Sequence, residues 1–99
     1  MALTRFGFIV TGAGLDPEQH RVVLASGRFT MIAIGIAGPE DGPRAARALV
    51  AEGVELIELC GGFGPLGAAA VIDAIGGAVP VGAVGYGPEA IAPLARLFA

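Results

Sequence analysis

Two side chains of different chemistry stand two residues apart in this sequence: Glu58 and Cys60, the latter its only thiol. They lie in Val54-Glu55-Leu56-Ile57-Glu58-Leu59-Cys60, a β-rich apolar run that ends in Gly61-Gly62-Phe63-Gly64-Pro65. Strand side chains alternate faces with period 2, so a strand here sends Glu58 and Cys60 to the same side. A carboxylate wedged between Ile57 and Leu59 is expected to be buried. Without a partner its pKa rises toward the range useful for proton transfer, whereas an arginine beside it makes a structural ion pair. Cys60, just ahead of a helix start, reads either as a stabilised thiolate nucleophile or as a small buried hydrophobe. Glu55 falls on the opposite face and reads as solvated or paired at the strand start.

The turn that follows has the means to hold an anion. Gly61, Gly62 and Gly64, with Phe63 among them, precede Pro65 and leave backbone N–H groups free at a helix N-terminus. Gly12 and Gly14 before Asp16, and Gly85 and Gly87 before Pro88, repeat the arrangement. The plainer reading is that these glycines only make tight strand-to-helix turns. No Gly-Lys-Ser/Thr phosphate loop is present, and Gly12-x-Gly14-x-x-Pro17 lacks the third glycine of a dinucleotide fingerprint. No cofactor is therefore expected. Thr11 and Tyr86 fall in loops at the same edge, where their hydroxyls could orient a ligand. His20, the sole histidine, stands four residues after Asp16 and is either a third proton carrier or an ordinary surface residue. Potential metal ligands are scattered, so no metal site is expected. The candidates are thus Glu58, Cys60 and His20 for catalysis, and Thr11, Gly61, Gly62, Phe63, Gly64 and Tyr86 for ligand binding.

Regularly spaced elements position these residues. Phe6–Val10 reads as a strand ending in Thr11-Gly12-Ala13-Gly14. Asp16-Pro17-Glu18 then gives an N-cap, a proline at the first helical position and an acidic first turn. The helix is expected to reach Ser26, with Gly27 as its stop, although β-branched Val22-Val23 leaves an extended alternative for residues 20–25. Arg28–Ile36 is a nearly continuous apolar strand, the pattern of a strand buried on both faces. Gly38 to Pro43 turns into helix Arg44–Glu52, with Ala45, Ala46, Leu49 and Val50 as its inner stripe. The stretch from Val54 is the third strand, and helix Pro65–Ile75 follows. That helix is almost uncharged, so it is expected to be covered on more than one side. Strand Val79–Val84 leads to a last helix from Pro88, which Pro93 should kink.

Asp16-Pro17, Gly38-Pro39, Gly64-Pro65 and Gly87-Pro88 recur at spacings of 22, 26 and 23 residues, each after a strand and before a helix. This predicts an α/β fold of four successive βα units with a mainly parallel four-stranded sheet. A small doubly wound sheet fits, and so does half of a βα barrel. In either, the carboxyl ends of the strands are where a ligand binds.

Composition narrows the function classes. The 99 residues make one domain, 1–99, with 55% hydrophobic and only 15% charged residues. Few charges remain to cover the surface, so a homo-oligomer is expected. A net charge of −3 without a basic cluster argues against nucleic acid. No apolar run is long enough to span a bilayer and no signal peptide is visible, so a cytoplasmic protein is expected. A single cysteine excludes an internal disulfide.

Asp16-Pro17-Glu18-x-His20-Arg21, with Glu58-Leu59-Cys60-Gly61-Gly62-Phe63-Gly64-Pro65 and Pro80-Val81-Gly82-Ala83-Val84, resembles a family of short prokaryotic proteins of unknown function. The resemblance spans nearly the whole chain. It implies a complete single-domain protein and no particular reaction. The functional expectation is a small anionic metabolite bound at the carboxyl ends of the strands, with lyase or isomerase chemistry through Glu58 and Cys60. The alternative is a non-catalytic ligand-binding or assembly subunit.

Overall fold

The computed structural model describes residues 2–99. Strands β1 (Arg5–Thr11), β2 (Arg21–Ala25), β3 (Thr30–Ile36), β4 (Ile57–Leu59) and β5 (Val81–Ala83) form one sheet in the order β2-β3-β1-β4-β5. β3, β1, β4 and β5 run parallel, and β2 runs antiparallel to β3 at the edge. The helices are α1 (Gly42–Ala51), α2 (Gly64–Ala74) and α3 (Ile91–Leu97). Short 3-10 turns, Pro39–Asp41 and Pro88–Ala90, lead into α1 and α3.

The α/β class stands, but the sheet has five strands and is mixed, because the expected first helix does not form. Asp16 does start a turn: its Oδ1 accepts the Glu18 N–H at 2.8 Å, and its carbonyl accepts the Gln19 and His20 N–H groups. The turn stops there, and Arg21–Ala25 pairs with β3 instead. Val22 and Val23 lose side-chain freedom in a helix and fit a pleated strand. Gly27 is accordingly no helix stop; it lies in the β2–β3 hairpin, closed by the Ser26 N–H on the Phe29 carbonyl at 2.9 Å.

The half-barrel reading is excluded. A barrel keeps chain order around its sheet, whereas here β1 lies between β3 and β4. The chain goes from β1 outward to β2 and β3, then crosses back over β1 to β4 and β5. The two crossovers β3–α1–β4 and β4–α2–β5 advance in the same direction, and their common right hand puts α1 and α2 on one face. α1 packs on β1 and β3, α2 on β5, and the two helices pack on each other. The core lies beneath them: Ile9, Ile32, Ile34, Ile36, Ile57 and Leu59 from the strands, with Ala45, Ala46 and Leu49 from α1 and Val71 from α2. Gly7 provides the socket for Leu49, since a Cβ there would lie 2.7 Å from Leu49 Cδ1.

α2 is covered on one side only. Val71 is fully buried while Leu66 is 86% exposed, so the apolar helix is not enclosed within this chain. Pro93 falls in the first turn of α3, where its missing N–H costs nothing. The helical stretch changes there from a 3-10 turn at Pro88–Ala90 to α at Ile91.

Candidate functional site

The crossing back over β1 creates a topological switch point between β1 and β4. Ligands of open α/β sheets bind in the crevice outside the carboxyl ends of strands at such a point. Thr11 ends β1 there, and Cys60 directly follows β4. A cavity of about 430 Å³ opens at this place, lined by Thr11, Cys60, Gly61, Gly62 and Tyr86 together with Val10, Leu94, Leu97 and Phe98. Its lining thus combines the polar groups of Thr11, Cys60 and Tyr86 with the apolar side chains of Val10, Leu94, Leu97 and Phe98.

The surroundings of Cys60 are tightly built. The Thr11 N–H donates to Cys60 Sγ at 3.2 Å, and Thr11 Oγ1 lies 3.3 Å from the same sulfur. Partial burial pushes the thiol up, but the Thr11 hydroxyl and N–H, with the Gly62 N–H, outweigh it and hold Cys60 below its ordinary value. Hydrogen bonds to the charged form favour that form. Gly62 is a glycine because of space: a Cβ there would stand 2.3 Å from Thr11 Oγ1. Its φ is not in the left-handed region, which in this loop is occupied by Gly64 at φ 64°. Gly61 is likewise pressed on Tyr86, whose Cε2 would lie 2.7 Å from an added Cβ.

The remaining sequence candidates are dispersed. Glu58 is exposed rather than buried, because nothing covers that side of β4. It shares Cys60's face but lines a separate hollow of about 180 Å³ with Leu59, Gly82, Ala83 and Val84. Among the described residues it forms no salt bridge with an arginine; the pair present is Arg21 with Glu52. Phe63 turns its side chain into the core, 5% exposed, so only its backbone is available to a ligand. Gly64 begins α2, which has no side-chain N-cap. His20 lies across the sheet from Cys60. Its carbonyl accepts from Gly35, Gly35 is in register with Val10, and the Cys60 N–H donates to Ile9. Three strand spacings separate the two ends of that row, about 14 Å. His20 Nδ1 accepts the Asp16 N–H at 2.8 Å, and the ring borders a different hollow with Leu15, Gln19 and Val22.

Sequence reasoning did not assign Val10, Leu94, Leu97 or Phe98 to the cavity. Only the return of α3 to the carboxyl end of β1 gives the apolar C-terminal stretch a place there. Among the described residues no three His, Cys, Asp or Glu side chains cluster as metal ligands, and no helix is long and apolar enough to cross a membrane.

Residues 4–99 match the model of a family of unknown function, DUF6506. The chain belongs to that family. Among curated proteins and solved structures, none matches it. Family membership accords with the resemblance read from the Glu58–Pro65 stretch, and it brings no reaction with it. What can be said of function rests on the switch-point cavity.

Proposed function

We propose that this protein binds a small metabolite with an anionic or carbonyl head and an apolar body in the cavity between the ends of β1 and β4. The head would meet the Gly61–Gly62 backbone, the Thr11 and Tyr86 hydroxyls and Cys60; the body would lie against Val10, Leu94, Leu97 and Phe98. The observation that carries this reading is the polar cluster around Cys60 opening into an apolar-walled cavity at the switch point. No arginine lines the cavity, so an anion would be held by backbone N–H groups and the helix dipole beyond Gly64.

The enzyme form of the reading, a lyase or isomerase, gives proton transfer or nucleophilic attack to Cys60, with Thr11 as its hydrogen-bond partner. Glu58 is less well situated for that work, since it lines a separate hollow. The same separation favours the second reading, a non-catalytic ligand-binding subunit, over a Glu58-based mechanism.

Titration of ¹⁵N-labelled protein with phosphate, sulfate and a series of straight-chain carboxylates tests the reading. Thr11, Gly61, Gly62 and Leu97 amides are expected to shift, and carboxylates to bind more tightly as the chain lengthens. Silence from every anion at millimolar concentration refutes the anionic head. Gly62→Val should abolish the shifts, and Glu58→Gln should leave them in place.

A further inference from the structure

We infer that α3, hung on Gly85-Tyr86-Gly87, is a lid over the Cys60 cavity that opens readily by itself and closes on the apolar body of a bound ligand. The last hydrogen bond tying the end of the chain to the sheet runs from the Val84 N–H to the Leu59 carbonyl at 2.9 Å. Beyond it, the Ala90 N–H donates to Gly87 and the Phe98 N–H to Leu94, both inside the segment itself. Among the described residues no hydrogen bond or salt bridge joins 85–99 to the rest of the fold. α3 holds no buried residue and packs chiefly on the 3-10 turn before it. A seven-residue helix is marginal in water on its own, so its persistence depends on what packs against it. Few buried apolar contacts and no hydrogen bonds to the scaffold put a segment at the low end of local stability, where lids are found.

The face that α3 turns to the cavity shows what closes it. Leu94, Leu97 and Phe98 stand three and four residues apart, on one side of the helix, and line the cavity with Val10. Leu97 is 71% and Phe98 79% exposed, so this chain alone gives that side little to pack on. An alkyl body lying between them and Val10 supplies the missing apolar contact and favours the closed lid. A ligand without such a body does not, because a ligand shifts an equilibrium only by its difference in affinity for the two states. The hinge is free to turn: a Cβ on Gly85 would meet open space, and one on Gly87 would meet only Glu89 of the same segment. Tyr86, between them, has its ring against Gly61, so the hinge stands beside the thiol and the same movement opens the way to Cys60. The inference rests on the cavity reading above for the place of the ligand's body, but not on its anionic head.

Hydrogen exchange of the full chain tests the lid in three forms: Cys60 free, methylthiolated with methyl methanethiosulfonate, and octylthiolated with octyl methanethiosulfonate. Each reagent forms an S–S bond to Cys60 and releases methanesulfinate, and the octyl chain brings an apolar body to the cavity whatever the natural head. With Cys60 free, the α3 amides should exchange at least about a hundredfold faster than those of α1 and α2. Octylthiolation should slow them about tenfold and methylthiolation leave them unchanged. Leu97→Ser combined with Phe98→Ser, both at exposed positions, should cancel the octyl effect while α1 and α2 keep their protection. α3 amides as slow as those of α2 in the free-thiol protein overturn the lid. So does an octyl chain that leaves them fast, a methyl group that slows them equally, or protection that survives the double variant. Octyl protection beside a silent carboxylate titration sustains the lid and refutes only the anionic head. Carboxylate shifts at Gly61 and Gly62 beside an octyl chain that fails to slow α3 refute the lid and spare the head.

Discussion

After β1 the chain runs Gly12-Ala13-Gly14-Leu15-Asp16-Pro17, and after β4 it runs Cys60-Gly61-Gly62-Phe63-Gly64-Pro65. Both turns are glycine-rich, both meet a proline, and both leave the carboxyl edge of the same sheet. The second opens the eleven-residue helix α2. The first makes one capped turn and enters an antiparallel strand. The residues just beyond the turn separate them. Gly67-Ala68-Ala69-Ala70 contains good helix formers with no strand edge competing for its backbone, whereas Arg21-Val22-Val23 is β-branched and meets the open edge of β3. A cap signal starts a turn; what the next residues can pair with decides how far it goes. The two turns differ at their glycines too. Gly12 and Gly35 make room for Leu15, which anchors the first loop by packing. Gly62 makes room for Thr11 and so lets a hydroxyl reach the thiol.

The largest expected effect comes from Gly62→Val. Its side chain would meet Thr11 Oγ1, so a loss of about 1–3 kcal/mol is expected in urea unfolding, along with the cavity. A variant of wild-type stability would show that the second turn is as adaptable as the first. Asp16→Ala removes the Asx cap of the first turn and should cost about 1 kcal/mol in the same assay, with faster amide exchange at Glu18 to His20 and α2 unchanged. A spread of that effect into α2 would break the claim that the turns are independent.

Cys60 gives a third test. Its depressed pKa predicts that alkylation by iodoacetamide reaches half its maximum rate below the pH of an ordinary thiol. Thr11→Val, which keeps the shape and removes the hydroxyl, should move that midpoint upward. An unmoved midpoint would leave Thr11 with no electrostatic role. The sign for stability is that of any acid whose folded pKa is depressed: the contribution is present above the unfolded value and is lost as pH falls through the folded one.

The smallest effect concerns the tie that holds β2 in place. Arg21 pairs with Glu52 at the end of α1, and that hydrogen bond, more than the opposing desolvation, lowers the Glu52 pKa. Glu55 is lowered in the same direction by the N–H groups of Thr4 and Arg5 and the Thr4 hydroxyl. Both contributions exist above the unfolded carboxylate range and disappear as pH falls through the lowered values, so the urea midpoint should decline as the pH is taken down through and below that range. Glu52→Gln should cost about 0.5 kcal/mol or less, since the pair is exposed, and should flatten part of that decline. A steeper loss would mean that the ion pair, rather than Val22 and Val23, keeps the first segment a strand.

The sequence by itself determined the α/β class, the strands near Phe6, Arg28, Val54 and Val79, the helices after Pro43 and Pro65, and the Glu58–Pro65 turn. Those features depend on neighbours in the chain: alternation or continuity of apolar residues, prolines at helix starts, and glycines such as Gly53, Gly76 and Gly77, whose positive φ ends a helix. Tertiary structure alone decided that residues 21–25 pair with β3, that β1 lies between β3 and β4, and that Thr11 and Cys60, 49 positions apart, share a hydrogen bond. It also exposed Glu58, which the local pattern had placed inside. A strand's local pattern shows which residues share a face, but whether that face is covered depends on helices contributed from elsewhere. In this fold the α1 and α2 crossovers share one hand and advance in one direction, so one face of the sheet receives both and the other receives neither.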